Sequence, residues 1–540
     1  MIVPSPHPSV AIPGVSLGEF LFRDLDSRRD RAALIDGASG RTLTYGELHD
    51  HSVAVARALI ARGLEPGDVV AIASPNLPEY AVAFHAVAMA GGCNTTLNPL
   101  QTVPEIVHQL ADSGARWILT VPPLLEKARE VAAQTRVEEI FVFGEGEGAT
   151  PFQTLVEEGL AAGASIGGEV GPAGVIPGRV GDPAGHLVAL PYSSGTTGRP
   201  KGVMLTHRNL VANLAQCHAV DPVEPDEIII AVLPFFHIYG MVVIMGCGLR
   251  AGATVVTLPR FDLEVFLETV ERHGVTRAYL VPPIVLALAK HPAVDSYDLS
   301  SVRYVMSGAA PLGAEVALAC QTRLGCDVTQ GYGLTETSPV THYRPWRWGG
   351  DERIASVGPS VPGTEVLIAD LETGEPLPRG ETGEVWIRGP QVMAGYLNRP
   401  DATGRTIDED GWLHTGDVGR VDEDGALTIV DRAKELIKYK GFQVPPAELE
   451  DVLLSHPSVR DAAVIPIPDE EAGEVPKAFV VRSGDVSAEA LGAYVAERVS
   501  PYKKIRCFEF VDQIPKSPSG KILRRILVDR EREAAAAAGA

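Results

Sequence analysis

The sequence is poor in cysteine, in long apolar runs and in positive charge. Six cysteines (Cys93, Cys217, Cys247, Cys320, Cys326 and Cys507) are scattered through 540 residues. No pair has the C-x-x-C spacing of a metal site, and the scatter gives no disulfide framework. A reducing cytoplasm is the expected location. No apolar run reaches membrane-spanning length; the longest, Met241 to Leu249, is short and broken by glycines. The start, "MIVPSPHPSV", has no basic stretch followed by an apolar core, so a secretory signal is not expected. The end, "EREAAAAAGA", carries no peroxisomal tripeptide and reads as a frayed low-complexity tail. Lys and Arg number 47 against 69 Asp and Glu, a formal charge of −22. That balance disfavours nucleic acid or an anionic membrane as the main partner. Any nucleotide must be met by positive charge concentrated locally.

The length is too great for one compact core and suggests two to four domains. A composition of 45% hydrophobic and 21% charged residues is that of a globular protein. Helix and strand signals alternate from the start. Thr44 and Glu47 form a capping-box pattern, Leu48, Val55 and Leu59 follow at helical spacing, and Gly63 stands where a helix would stop. "DVVAIAS" (68–74) predicts a buried strand and a helix follows to about Ala90. This alternation predicts layered α/β architecture with a largely parallel sheet. Residues 144–185 read as a long surface connection with one short helix. "HLVALPYSS" (186–194) predicts a strand, and Thr206 caps a helix with Leu210, Leu214 and Cys217 on one face. Alternation continues to about 325. From about 355 to 430 short strands with turn signals predict a β-rich subdomain. A smaller α/β pattern then resumes, with a helix at 446–455 and strands near 461–466 and 476–482. The domain boundary is placed near Asp431, giving domains 1–430 and 431–540.

Chemistry is suggested by five stretches. "YSSGTTGRPKG" (192–202) crowds hydroxyls and glycines beside Lys201, as a phosphate grip would: bare backbone N–H groups and hydroxyls donate to anionic oxygens and the lysine supplies charge. A flexible surface loop is the alternative. The Walker pattern G-x-x-x-x-G-K-S/T is not matched. In "QGYGLTETSP" (330–339), Tyr332 offers a ring face and Thr335 and Glu336 offer oxygens for a phosphate and its magnesium. In "GWLHTGDVG" (411–419), Asp417 suits ribose hydroxyls, or is a turn aspartate. "VDRAKELIKYKGFQV" (430–444) gathers Arg432, Lys434, Lys438 and Lys440 in an acidic chain, or is a solvated face. "PKSPSGKILRRIL" (515–527) presents Lys521 after a Pro/Ser/Gly turn.

In order and spacing together, "SSGTTGRPKG", "GYGLTET", "HTGD", "DRAKELIKYKG" and "PKSPSGK" resemble the adenylate-forming superfamily of acyl-CoA synthetases, luciferases and adenylation domains. The resemblance runs from about residue 15 to 527. "LPFFHIYGM", "MSGAAPLG" and "ELIKYKGFQVPPAELE" look most like the 4-coumarate–CoA ligase branch.

The resemblance implies a large N-terminal domain of layered α/β subdomains with a β-rich subdomain, and a small mobile α+β C-terminal domain that rotates about Asp431–Arg432. It implies ATP, Mg²⁺ and coenzyme A as partners of a carboxylic acid, with an acyl-adenylate formed first and a thioester second. Ser193, Ser194, Gly195, Thr196, Thr197 and Lys201 would hold the β- and γ-phosphates. Gln330, Gly331, Tyr332 and Gly333 would border the adenine and acyl sites. Thr335 would hold the α-phosphate, Glu336 the magnesium, and Asp417 and Arg432 the ribose. Lys521 would bridge α-phosphate and carboxylate. Lys434, Lys438 and Gln443 would contact the adenylate. Lys440 and Gly441 would line a tunnel for coenzyme A, with Arg260 at its nucleotide. His237, Tyr239, Val242, Val243, Met306, Ala309, Ser338, Pro339 and Val340 would shape the acyl site. The chain departs from the plant pattern at Gly240–Val243, where the plant enzymes are polar, and at Ser338, where they carry glycine. Cinnamate-like, other aryl or medium-chain fatty acids therefore stay open, as does delivery to a carrier protein, although the intact "KYKG" favours free coenzyme A.

Overall fold

The computed structural model describes all residues except 164–170, 172–173, 175, 194–199, 346–352, 441, 470, 518–519 and 539–540. Its centre is a pair of largely parallel sheets. In one, Leu187–Ala189, Cys93–Thr96, Val69–Ala73, Trp117–Thr120, Glu139–Val142 and Thr150–Pro151 run parallel, and Lys201–Thr206 is added antiparallel at the edge. In the other, Asp327–Gly333, Tyr304–Ser307, Arg277–Leu280, Ile228–Ala231, Thr254–Thr257 and Ala32–Asp36 run parallel, with an antiparallel strand at each end. One apolar core holds residues of both sheets and of the helices Tyr45–Ala61, Pro78–Met89 and His207–Val220. Strands buried on both faces read as continuous apolar runs, which is why Val69–Ala73 is wholly buried.

Local signals fall where the sequence places them. Thr44 and Glu47 cap each other reciprocally at the start of Tyr45–Ala61, and Gly63 takes φ +89° just past its end. Thr206 caps His207–Val220 with Asn209 as its reciprocal partner. The strand expected over 186–194 is interrupted: Leu187–Ala189 and Tyr192–Ser193 are separate, because Pro191 between them has no N–H for a ladder. The glycine-broken apolar run is a buried π-helix, Tyr239–Gly246, that continues as the α-helix Cys247–Ala251.

The β-rich part is a five-stranded antiparallel sheet of Glu365–Ala369, Gly383–Arg388, Leu413–Val421 and Leu427–Arg432, completed by Ile2–Pro4 from the start of the chain. Asp431 lies in its last strand. From Ile437 onward a separate sheet forms, with Val459–Asp469 and Gly473–Arg482 as its long hairpin and Cys507–Phe510 parallel to the latter. It packs on the helix Pro446–Ser455 around its own core. This C-terminal unit touches the large one: Lys290 Nζ donates to Leu454 O at 2.6 Å, and a Cβ on Gly520 would lie 3.0 Å from Val281.

Candidate active site

The segments on either side of the Gly/Thr loop are paired antiparallel. Tyr192–Ser193 pairs with Lys201–Thr206, and Ser193 stands opposite Lys201. Ser194, Gly195, Thr196 and Thr197 lie outside the described residues. A second hairpin, Asp327–Gly333 with Val340–Tyr343, carries the "LTET" turn between its strands. A Cβ on Gly333 would overlap the Pro339 carbonyl, so only glycine fits this return.

The two hairpins meet at Glu336. Its Oε1 accepts from Ser193 Oγ and from Tyr396 OH, both at 2.8 Å. Lys201 Nζ sits 4.2 Å from the centre of the Tyr396 ring. Burial pulls the Lys201 ammonium below its usual pKa, Glu336 opposes that shift, and Arg405 and Lys434 add to it. Tyr396 carries no motif of its own. It reaches the site because Gly395–Tyr396 pairs with Met204 and Val203 of the strand Lys201–Thr206. That cross-strand register, unlike a loop motif, leaves no short signature in the sequence.

A second cluster holds Tyr332, Asp417, Arg432 and Lys521. Asp417 and Arg432 are register partners on neighbouring strands, with Arg432 Nε 3.2 Å from Asp417 Oδ1. Tyr332 OH donates to Asp417 Oδ2 at 2.6 Å. Burial raises the Asp417 pKa, and Arg432, Tyr332 and Lys521 counter it. The Lys521 turn closes on itself through Ser517 N–H to Lys521 O at 2.8 Å and Lys521 N–H to Ser517 Oγ at 3.1 Å. Burial pulls Lys521 down to about 8; Arg432 and Arg524 push the same way, while Glu435 and Asp417 oppose.

The third group lies beside the π-helix. His237 Nδ1 accepts from the Tyr239 N–H at 3.3 Å, which leaves the ring proton on Nε2. Burial, reinforced by the Lys521 ammonium, holds His237 down at about 4, so its imidazole is neutral at physiological pH. Accordingly, His237 should contribute no acid limb to kcat/KM above about pH 5. Parent and His237→Asn pH profiles should share one shape, whatever their difference in height. Tyr239 OH donates toward Met306 O at 3.2 Å and Met306 Sδ at 3.1 Å. A Cβ on Gly331 would lie 3.3 Å from Met306 Cε, so this glycine adjoins the same methionine.

The remaining expected residues are placed as follows. Val242, Val340 and Ser338 are buried; Ser338 Oγ donates to Gln391 O at 2.9 Å. Pro339 is buried with them. Val243 lines a small cavity with Leu214, Cys217 and Tyr279. Ala309 is exposed with φ +69°. The Gln330 side chain is spent on the backbone, accepting from Leu312 N–H and donating to Leu312 O and Ile354 O. Thr335 opens the short helical turn that holds Glu336. Arg260 is exposed. Lys438 and Gln443 are exposed opposite each other on the hairpin 437–444, and Lys440 Nζ pairs with Glu471 at 3.0 Å. Gly441 lies outside the described residues.

Among the described residues no cluster of three or more His, Cys, Asp or Glu side chains could cage a metal. The single carboxylate of Glu336 fits a Mg²⁺ that reaches the protein mainly through phosphate oxygens and keeps its waters. Lys201, Arg432 and Lys521 supply the local positive charge that a nucleotide needs on an acidic protein.

The chain is similar to known proteins along most of its length. The AMP-binding enzyme family matches residues 21–397, and the AMP-binding enzyme C-terminal domain matches 448–521. The chain is 47% identical to 4-coumarate–CoA ligase 5 of Oryza sativa subsp. japonica, covering 96% of this chain and 95% of that protein. It is 44% identical to 4-coumarate–CoA ligase 2 of Petroselinum crispum, covering 98% and 96%. Among solved structures it resembles the anthranilate CoA ligase AuaEII in complex with anthranoyl-AMP, with TM-score 0.87, 28% identity and coverage of 98% and 99%. It also resembles ATP-bound MatB from Rhodopseudomonas palustris, with TM-score 0.83, 30% identity and coverage of 95% and 98%. No helix of the described residues is long and apolar enough to cross a membrane. Matched by the family over most of its length, with both hairpins and the lysine turn assembled around one site, the chain belongs to the adenylate-forming, AMP-binding enzyme family, on its 4-coumarate–CoA ligase-like branch.

Proposed function

We propose that the chain is an AMP-forming acid–thiol ligase that joins an aryl carboxylic acid of the 4-coumarate or cinnamate type to coenzyme A at the expense of ATP. The observation that carries this reading is the position of Lys521, close enough to Asp417, Arg432 and His237 for their charges to act on one another. A carboxylate oxygen bonds to the α-phosphorus, the bond to the β-phosphate bridge breaks, and pyrophosphate leaves. Such a step depends mainly on positioning and on neutralising charge. Lys521 holds the two anionic groups together, Lys201 and the loop grip the departing pyrophosphate, and Asp417 takes the ribose hydroxyls. Magnesium, held through Glu336, would neutralise phosphate charge. The thiol of coenzyme A then attacks the acyl carbon and AMP departs.

Lys521 and Lys440 serve different half-reactions in this scheme. Lys521 is part-buried near Asp417 and Arg432, and Lys440 is exposed beside Glu471. That contrast supports two domains, 1–430 and 431–540, and a rotation of the second about Asp431–Arg432 between the steps. Six free thiols suit a reducing cytoplasm.

The acid is read from the π-helix. Val242 is 2% exposed and offers no hydrogen bond. A buried phenolic hydroxyl without a partner costs about 1–3 kcal/mol. Tyr239 OH is engaged as donor with Met306, so it can only accept from such a group. Cinnamate or a comparable apolar aryl acid should therefore be used at least as efficiently as 4-coumarate, and Val242→Asn should raise the relative kcat/KM for the hydroxylated acid. Thioester formation across a panel of aryl and alkyl acids, with and without coenzyme A, tests the whole reading. A parent that strongly prefers 4-coumarate would mean that another residue supplies the polar contact. Pyrophosphate release with no thioester would overturn the ligase.

A further inference from the structure

Two cysteines that are distant in sequence meet in the fold. Cys217 lies near the end of His207–Val220, and Cys247 opens the helix that continues the π-helix. The Cys217 thiol donates to Asn213 Oδ1 at 3.9 Å, and the Cys247 thiol lies close enough to act on it. Both line one cavity of about 20 Å³, against Val243 and Tyr279. The elements that carry them pack tightly: a Cβ on Gly246 would lie 2.9 Å from Leu214 Cδ2. Cys217 is 7% exposed, whereas Cys247 is only half-buried. The neighbouring Cys247 thiol, together with burial, raises the Cys217 pKa well above its ordinary value. Cys247 is therefore the sulfur that meets an oxidant first.

We propose that Cys217 and Cys247 are a redox pair that closes to a disulfide when a peroxide reaches Cys247. The Cys247 sulfur bonds to one peroxide oxygen, the O–O bond breaks, and one water leaves a sulfenic acid behind. The Cys217 sulfur then displaces the sulfenic hydroxyl, which departs with the Cys217 proton as a second water. The two sulfurs lose two electrons and the peroxide oxygens gain them. A disulfide needs sulfurs about 2.05 Å apart with Cβ atoms about 3.8 Å apart. Thiols that line one small cavity approach that geometry by side-chain rotation. The bridge would fasten the Tyr239-bearing π-helix to the helix His207–Val220. The proposal is independent of which acid the enzyme uses. In a reducing compartment such a bond is transient and responds to oxidation.

The test treats the whole protein with hydrogen peroxide, unfolds it and alkylates the remaining thiols. Intact mass should show four alkylated cysteines instead of the six of the reduced protein. Peptide mapping should join the Cys217 and Cys247 peptides, and dithiothreitol should restore all six thiols. In Cys217→Ala, dimedone should trap sulfenic acid on Cys247 several-fold more than in the parent. Cys217→Ser provides the same readout if the alanine variant does not fold, with the melting transition of each as control. Six free thiols after treatment, a bond joining the buried Cys320 and Cys326 instead, or equal dimedone labelling of parent and variant would overturn the proposal.

Discussion

Lys521→Ala lowers acyl-adenylate formation at least roughly 100-fold, while thioester formation from supplied acyl-adenylate is much less affected. The lysine is held by its own turn and by carboxylates at a distance, so the variant removes charge without removing a packing core. Lys521 and the Arg432 guanidinium disfavour each other until anionic groups enter between them. The ammonium is thus stabilised most when phosphate and carboxylate are brought together, which is where a charge accelerates the chemical step. The same position gives a pH signature. With its pKa pulled down to about 8, Lys521 is charged below that pH and neutral above it. In the parent, kcat/KM for adenylation should fall as pH rises through about 8. The limb in kcat should lie higher, because bound phosphate favours the charged lysine. Lys521→Arg should abolish the limb while keeping part of the rate. Measurement of pyrophosphate release and of single-turnover thioester formation separates the two half-reactions, and equal losses in both would remove Lys521 from the role given to it.

Glu336→Gln should cost adenylation roughly 100-fold and raise the Mg²⁺ concentration needed for half-maximal rate. Glutamine keeps the shape, and its carbonyl still accepts from Ser193 Oγ and Tyr396 OH, which bond Oε1 at 2.8 Å in the parent. What it loses is the negative charge. Lys201, 4.2 Å from the Tyr396 ring, would then have no nearby carboxylate to set against Arg405 and Lys434. ATP binding itself should survive better than the rate, since the cationic strip remains. Rates over a magnesium titration, with melting temperature as a folding control, check this. An unchanged magnesium dependence would show that Glu336 organises the hairpins but does not serve the metal.

Several features could be read directly along the chain because their causes are local. Reciprocal caps at Thr44 and Thr206 involve residues three positions apart. The helix expected at 446–455 is observed as Pro446–Ser455, opened by prolines that suit a first turn. The wholly buried strand Val69–Ala73 announces itself as an unbroken apolar run. The motif order was legible for the same reason: a loop that grips phosphate needs its hydroxyls, glycines and cation as sequence neighbours.

Other features exist only once strands are paired and helices packed. Ile2–Pro4 gives no signal as a strand; the edge of the sheet at Glu365–Ala369 makes it one. Tyr396 becomes a partner of Glu336 through cross-strand register, and Asp417 becomes a partner of Arg432 in the same way. Gln330 reads as a candidate ligand-binding amide, yet in the fold it satisfies the backbone of Leu312 and Ile354. Cys217 and Cys247 look scattered on the chain and line one cavity in the fold. Caps, turns and apolar periodicity are set by residues within a few positions of one another. Pairing register, burial and the lowered pKa of Lys521 sum contributions from segments far apart, and the chain must close upon itself before those contributions act on one atom.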